Sequence, residues 1–246
     1  MLKKMKKIAL NGQSLGYAAL IALAVLGPAA KADLIKINMT VDNSYALFLG
    51  TATSATTFIG SDFSWPTTET YNFNLATSQY IYVTTASDLS AAQGFLGQFE
   101  NLTSGYKFYS NDAQWQVMAT NLGSNAPYTG SATDLALLTT QIQLANGGGT
   151  FSNGWVGTTA GPSNGAGPWG ARPNIDAAAK WVWYSSNGDS DPTTPGYNHA
   201  EWLTFRIAVA ATPTNPVPSV PDGGTTLAML GGALAGLDTL RRKFRA

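Results

Sequence analysis

The 246-residue chain has no cysteine, and only 11% of its residues are charged, with 14 basic and 14 acidic side chains. The lack of cysteine excludes disulfides, thiol nucleophiles and cysteine-bound zinc or iron–sulfur centres. Between residues 33 and 220, five basic residues stand against twelve acidic ones, a net charge of −7. Such a body lacks the clustered cations with which proteins bind nucleic acid, so we expect no nucleic-acid partner.

Residues 1–32 have the three parts of a secretory signal peptide. Four lysines within residues 3–7 precede an apolar run from Leu15 to Leu26, and Ala30 and Ala32 supply the small residues that signal peptidase reads. We therefore expect signal peptidase and the general export machinery as partners, with cleavage after Ala32. The alternative is an N-terminal membrane anchor, although the apolar run is shorter than the ~20 residues of a spanning helix.

Nine segments of the body are rich in β-branched and aromatic residues and are bounded by turn residues. They are Leu34–Val41, Tyr45–Leu49, Thr56–Ile59, Tyr71–Leu75, Tyr80–Thr85, Phe95–Phe99, Trp115–Ala119, Lys180–Tyr184 and Trp202–Val209. This spacing predicts one all-β domain over residues 33–211, an antiparallel β-sandwich or jelly roll. Both sides of Tyr80–Thr84 are apolar or aromatic, which favours a central strand.

Three segments depart from the strand pattern. Leu135, Leu138 and Ile142 have helical spacing, which predicts a short helix over Asp134–Leu144 with Asp134 as its cap. Residues 146–174 are dominated by Gly, Asn, Ser, Thr and Pro and predict a long loop. Residues 212–219 contain three prolines and predict a stiff linker.

The last segment, residues 220–246, combines a turn, an apolar run and a basic end. Residues 225–240 are apolar enough to enter a bilayer, although Asp238 lies among them. The four basic residues that follow would hold the run on the cytoplasmic side, and they are Arg241, Arg242, Lys243 and Arg245. We therefore expect a C-terminal transmembrane helix that contacts the membrane at least transiently. The alternative is an ordinary helix packed on the domain.

This order of parts resembles the VPDGG type of the PEP-CTERM sorting signals of Gram-negative bacteria. The resemblance covers about the last 27 residues and implies that the recognition box is Val220, Pro221, Asp222, Gly223 and Gly224. It also implies an exosortase-like processing enzyme as a partner, and a location in the cell envelope, at the cell surface or in the extracellular matrix. The inner membrane would be reached during transit, and cleavage and retention of the helix are both open.

The body resembles galactose-binding-domain-like modules, which are jelly-roll β-sandwiches. The similarity is carried in order by "VDNSYALFLG" from Val41, "YIYVTTASD" from Tyr80, "GFLGQFE" from Gly94, "SNDAQWQV" from Ser110 and "AKWVWYSSN" from Ala179. The chain departs from the pattern at Leu49, where the modules have Asn before the hairpin glycine. The resemblance implies a carbohydrate-binding fold, with polysaccharide as the partner.

A neutral sugar presents a patch of C–H groups ringed by hydroxyls, so its binding site needs exposed aromatic rings beside polar groups. The candidates are Trp155 and Trp169 in the glycine-rich loop, with Asn153, Asn164 and Arg172 as polar neighbours. The alternative is that both tryptophans pin the loop to the sandwich. We expect Trp115, Trp181 and Trp183 to pack in the core, the last two on one face of their strand.

A structural calcium ion is the one cofactor that the sequence suggests. Asp189 and Asp191 lie two residues apart beside Asn187, an oxygen-rich arrangement of the kind that Ca²⁺ prefers. The spacing is not that of an EF-hand, and a solvated turn is the alternative reading of this segment.

No enzymatic motif emerges from the sequence. His199 is the one histidine, and neither a G-x-S-x-G elbow, a phosphate-binding loop nor a dinucleotide fingerprint occurs. The leading hypothesis is therefore an exported, non-enzymatic module that binds carbohydrate or mediates adhesion. The alternatives are a structural surface protein that self-associates and a small glycan hydrolase that uses two carboxylates.

Overall fold

The computed structural model describes residues 32–76, 78–87, 92–120, 128–184, 193 and 202–208. Within these residues, twelve strands and one helix occur in the following order. They are β1 (Asp33–Asp42), β2 (Ser44–Thr51), β3 (Ser54–Asp62), β4 (Glu69–Leu75), β5 (Tyr80–Ala86), β6 (Gly94–Asn101), β7 (Tyr106–Tyr109), β8 (Gln116–Ala119), α1 (Ala132–Asn146), β9 (Val156–Gly157), β10 (Thr159–Ser163), β11 (Lys180–Trp183) and β12 (Leu203–Ala208).

The strands form two antiparallel sheets. Sheet A has the order β10-β11-β6-β1-β4, and β7 also pairs with β6; sheet B has the order β3-β2-β5-β12-β8-β9. The chain changes sheet between β1 and β2 at a single residue, Asn43. The prediction of an antiparallel, mostly β fold with two packed sheets is confirmed.

The core lies between the two sheets because apolar residues alternate along the strands and point inward. In β1 the inward residues are Ile35, Ile37, Met39 and Val41, all buried. Aromatic rings fill the centre of this core. Phe95 of sheet A lies 5.2 Å from Phe205 of sheet B between ring centroids, so the two sheets are joined by direct ring contact.

All nine predicted strands are present, and β5 is central, as predicted, because β2 and β12 flank it. Both faces of β5 are buried, with Val83 inward and Tyr82 outward. Three short strands were not predicted: β7, β9 and β10. Strand β10 contains Gly161 and Pro162, which are rare in strands, and so its sequence does not predict one. It pairs with β11, with a register shift between Ala160 and Ser163.

The predicted helix is present, but Asp134 is not its N-terminal cap. Ser131 caps α1, and its hydroxyl accepts the backbone N–H of Asp134 at 3.1 Å. The Asp134 carboxylate instead accepts the backbone N–H of Thr129 at 2.6 Å. The cap lies three residues earlier because it must reach the free N–H groups of the first turn.

Residues 1–31 and 209–246 lie outside the described residues. They contain nearly all of the predicted signal peptide, the predicted linker, the C-terminal motif and the predicted transmembrane helix. In the described part of the chain, no helix has both the length and the apolar character needed to cross a membrane.

We predict that Phe205→Ala lowers the free energy of unfolding by about 3–5 kcal/mol, because a buried ring is lost at the junction of the two sheets. Equilibrium urea unfolding of the purified protein would measure the change. The matched control is Phe63→Ala, whose ring is 60% exposed, and it should change stability by less than about 0.5 kcal/mol. Equal losses for the two variants would contradict the assignment of the core.

Candidate functional site

Helix α1 covers part of the outer face of sheet B. Its buried residues Leu138 and Ile142 belong to the same apolar cluster as Ala46 and Phe48, which point outward from β2. The covered area therefore lies over β2 and β3. Outward residues of β5, β8 and β12 remain half-exposed beside the helix, and they are Tyr80, Gln116 and Arg206.

Arg206 lies at the centre of this half-exposed area. On β12 it pairs in register with Tyr82 of β5 on one side and Gln116 of β8 on the other. Its Nε donates to Gln116 Oε1 at 2.9 Å, and its Nη1 donates to Asn146 Oδ1 at 3.1 Å. The guanidinium is thus fixed by neighbours from both the sheet and the helix.

The guanidinium also lies between two aromatic rings. Its Cζ is 3.8 Å from the centroid of the Trp155 ring and 5.3 Å from that of Tyr80. Both distances are within the range of a cation–π interaction, which contributes about 0.5–2 kcal/mol depending on exposure. Tyr80 stacks on Tyr82 with centroids 5.9 Å apart. We call Tyr80, Trp155, Arg206, Asn146 and Gln116 the Trp155 cluster.

Asn146, the last residue of α1, holds Trp155 in place. Its Oδ1 accepts the indole Nε1–H of Trp155 at 2.9 Å, while its Nδ2 donates to the backbone oxygen of Ala52 at 2.8 Å. The indole, the helix end and the β2–β3 turn are therefore linked through one amide. Trp155 is half-buried and has little freedom to change rotamer.

Burial below the cluster affects two ionisable groups. It raises the pKa of Tyr82 to about 12, although the nearby Arg206 charge acts in the opposite direction. Burial lowers the pKa of Arg206 from its usual value, and the phenols of Tyr82 and Tyr80 oppose that change. At neutral pH the Tyr82 phenol therefore stays neutral below one guanidinium cation.

Trp169 lies on the opposite side of the sandwich. It packs on Trp181 at the outer face of sheet A, with ring centroids 4.2 Å apart and an angle of 21° between the rings. Its Nε1 donates to Asp42 Oδ2 at 2.7 Å, and only 4% of the residue is exposed. Trp169 is thus not the exposed ring that was predicted, and it pins the loop to the sheet, as the alternative proposed.

The stacked tryptophans require a glycine beneath them. A Cβ atom on Gly94 would lie 2.7 Å from Cε3 of Trp181 and 3.3 Å from Cη2 of Trp169. Such contacts are closer than packed carbon atoms allow. Gly94, the first residue of β6, therefore lets the pair approach the sheet.

Asn164 and Arg172 close the same loop on itself. Asn164 Oδ1 accepts the Arg172 backbone N–H at 2.7 Å, and its Nδ2 donates to the Ile175 oxygen at 2.6 Å. Arg172 donates to the backbone oxygens of Pro66 and Trp169 at 2.9 and 2.7 Å. Both side chains are thus used to shape the loop that carries Trp169.

The five predicted carbohydrate contacts are therefore divided between two faces. Asn153 is exposed and lies two residues before Trp155 on the sheet B side, in a left-handed conformation with φ 56°. Trp169, Asn164 and Arg172 lie on the sheet A side. Because the chain passes from β9 in sheet B to β10 in sheet A between these groups, they do not form one site.

Three further tryptophans were predicted to pack in the core, and the structure corrects one part of that prediction. Trp115, Trp181 and Trp183 are buried, as predicted. The prediction that Trp181 and Trp183 share a face is wrong, because Trp181 stacks outside on Trp169 whereas Trp183 contacts Phe205 inside at 5.9 Å. Val182 and Trp183 are adjacent in the strand and both belong to the main core, so the alternation of faces breaks between them.

The predicted calcium ligands Asp189 and Asp191 lie outside the described residues, as does His199. Among the described residues, no three His, Asp or Glu side chains are grouped so that they could hold a metal ion.

Sequence reasoning did not find most of the Trp155 cluster. Gln116 is 90 positions from Arg206 and Asn146 is 60, so only the pairing of β12 with β8 and the end of α1 bring them together. One signal was available: Arg206 interrupts an apolar strand between Phe205 and Ile207. Alternation places such a residue on the outer face.

The described residues form an antiparallel β-sandwich, and the comparison with known proteins adds a C-terminal motif. Residues 219–244 match the VPDSG-CTERM motif. The match contains the predicted box, which here reads Val-Pro-Asp-Gly-Gly, and supports a PEP-CTERM-type sorting signal. It implies export to the cell envelope or surface.

No curated protein and no solved structure matches the chain. The resemblance of the body to galactose-binding-domain-like modules is therefore still a prediction.

We predict that Trp169→Ala destabilises the protein by about 3–5 kcal/mol, since it removes a buried ring and leaves Asp42 without its indole donor. Trp155→Ala should cost about 1–2 kcal/mol, because that ring is half-exposed and mainly contributes a hydrogen bond and a cation–π contact. Urea unfolding of both variants tests whether Trp169→Ala loses more stability than Trp155→Ala. A greater loss for Trp155→Ala would refute the assigned roles.

Proposed function

We propose that this protein is exported, sorted through its C-terminal signal by an exosortase-type enzyme, and acts at the cell surface or in the extracellular matrix as a non-catalytic carbohydrate-binding module. The VPDSG-CTERM motif at residues 219–244 supports the export and sorting. The observation that carries the binding role is the half-exposed Trp155 ring, held by Asn146 and Arg206 on the outer face of sheet B.

The chemistry of the Trp155 cluster suits a neutral sugar. An indole ring offers a flat apolar surface for the C–H face of a pyranose, and amide groups nearby can bond to its hydroxyls. Gln116 and Asn153 supply such amides near Trp155, whereas the Asn146 side chain already bonds to Trp155, Arg206 and Ala52. We infer that a sugar ring binds beside Trp155 and that these amides select the orientation of its hydroxyls.

The rigidity of the cluster favours binding despite its small size. Ordering a mobile side chain at an interface costs roughly 0.5–1.5 kcal/mol. Trp155 is already fixed by the 2.9 Å hydrogen bond to Asn146 and by the guanidinium 3.8 Å from its ring. A sugar that binds there therefore meets a surface that needs no reordering.

Charge argues for a neutral rather than an acidic polymer. Residues 33–220 have a net charge of −7, so an anionic polysaccharide would be repelled at low ionic strength. Arg206 offers little compensation, since its Nε and Nη1 already donate to Gln116 and Asn146. The proposed ligand is a neutral polysaccharide of the cell surface or matrix.

The sorting part of the proposal is tested with the double substitution Pro221→Ala and Asp222→Ala. We expect the exosortase-type enzyme to stop recognising the box, so that protein with an intact tail accumulates in the cell envelope. Immunoblotting of cell fractions and intact-mass measurement detect this species. The matched control is Pro213→Ala with Pro216→Ala in the linker, which should be sorted normally. Normal sorting of the box variant would refute the proposal.

The binding part is tested by affinity electrophoresis of the exported protein in gels that contain neutral or acidic polysaccharides. We expect Trp155→Ala to weaken retention by a neutral polymer about fivefold, because a stacking surface worth about 1 kcal/mol is lost. Trp155→Phe should retain part of the affinity. The matched control is Trp65→Ala, which removes another half-buried indole on the sheet A side. If no neutral polymer retards the wild-type protein, or if Trp155→Ala is retarded equally, the proposed binding role is wrong.

A further inference from the structure

We propose that the free edge of β4 pairs with the β4 edge of a second copy of this chain, so that two sheets A join into one continuous antiparallel sheet. Strand β4 pairs with β1 over seven residue pairs, from Glu69 opposite Met39 to Leu75 opposite Asp33. In the described part of the chain, its other edge has no strand partner. About half of its backbone N–H and C=O groups point to that edge.

The other described edge strands carry features that prevent such pairing. Strands β7 and β9 have only four and two residues, and β10 contains Pro162 and a register shift. Strand β3 has two register shifts, and α1 packs beside it, with Thr139 Oγ1 accepting the Ala55 backbone N–H at 3.2 Å. Short length, proline, irregularity and a covering element are the means by which proteins block edges.

Strand β4 has none of these features. Its sequence, Glu-Thr-Tyr-Asn-Phe-Asn-Leu, contains no proline and no lysine, and its pairing with β1 runs without a register shift. The single charge, Glu69, lies at its first position. An edge of this length and regularity is a template for another strand.

The rim beside β4 also exposes apolar area. Tyr71 and Phe73 of β4 and Ile59 of β3 are half-buried and pack against the main core from the side. A strand added at β4 would bury more of these side chains. Hydrogen bonding and apolar burial would therefore act in the same direction.

The partner that fits this edge is a second copy, because the strand is complementary to itself. A two-fold axis at Asn72, the middle of β4, pairs all seven residues and places Tyr71 opposite Phe73 and Thr70 opposite Asn74. Aromatic cross-strand pairs of this kind contribute about 0.2–1 kcal/mol each. Each Glu69 lies opposite Leu75 of the partner, so the two carboxylates are separated by about 20 Å along the strand.

The association should be weak and dependent on salt. Seven paired residues bury less than the roughly 1,200–2,000 Å² of a standard interface. The two bodies, each with a net charge of −7, also repel one another until salt screens them. We therefore expect a reversible dimer that strengthens as ionic strength rises, the opposite of an interface made of ion pairs.

The test uses a pair of charge variants at the proposed axis. In the homodimer Asn72 faces Asn72, so Asn72→Lys and Asn72→Asp each place like charges opposite one another and should raise the dissociation constant about fivefold. An equimolar mixture of the two variants places Lys opposite Asp and should restore association. Sedimentation equilibrium of the exported protein, at several concentrations and salt levels, measures each case.

The matched controls are Gln143→Lys and Gln143→Asp on the exposed side of α1, which change the net charge equally without touching β4. Lys36 lies opposite Asn72 on β1, so a charge at position 72 also affects the folded monomer. Thermal unfolding therefore checks that each variant is folded. A wild-type protein that stays monomeric up to its solubility limit at high salt would overturn the proposal. So would Asn72 variants that associate like the wild type, or a mixture that does not recover association.

Discussion

Contact between the aromatic rings of Phe95 and Phe205 joins the two sheets at the centre of the core. The Phe95 ring lies 5.4 Å from Trp115, 5.2 Å from Phe205 and 6.3 Å from Phe99, while its backbone lies opposite Val41 on one side and Val182 on the other. Because its side chain points inward, alternation directs Gly94 and Leu96 outward. The same strand thereby fixes the inner core and the surface on which Trp169 and Trp181 stack.

Aromatic residues cover the outer faces as well, but the two faces have different consequences. On sheet A the rings of Trp169 and Trp181 are buried at a loop whose shape is held by hydrogen bonds of Asn164 and Arg172. On sheet B the ring of Trp155 stays half-exposed because α1 ends at Asn146, beside it. A helix that extended further would cover this surface.

The charges of the chain are divided between its body and its termini. The body is acidic, whereas most basic residues lie near the two ends of the chain. Those of the C-terminal tail lie within or directly after the matched sorting motif. An acidic body resists nonspecific binding to acidic polymers, which suits a protein that reaches the cell envelope. If two copies join at β4, the Trp155 clusters remain uncovered, since they lie on sheet B. Two weak sugar contacts on one dimer would then reinforce each other.

The features that the sequence predicted well are those that depend on neighbouring residues. Runs of β-branched and aromatic residues located all nine predicted strands. Strand β10 was missed because it contains Gly161 and Pro162. The N-terminal cap of α1 is Ser131, three residues before the predicted cap Asp134. The sorting motif could be recognised for the same reason, because it is a run of neighbouring residues in the sequence. Which side chains lie on the outer faces of the two sheets could be learned only from the folded structure. The burial of Trp169 and the position of Arg206 depend on contacts between residues that are 60 to 127 positions apart in the sequence. The local sequence pattern does not determine which distant strands will pair. Only the folded structure therefore distinguishes Trp169, which pins a loop, from Trp155, which faces solvent.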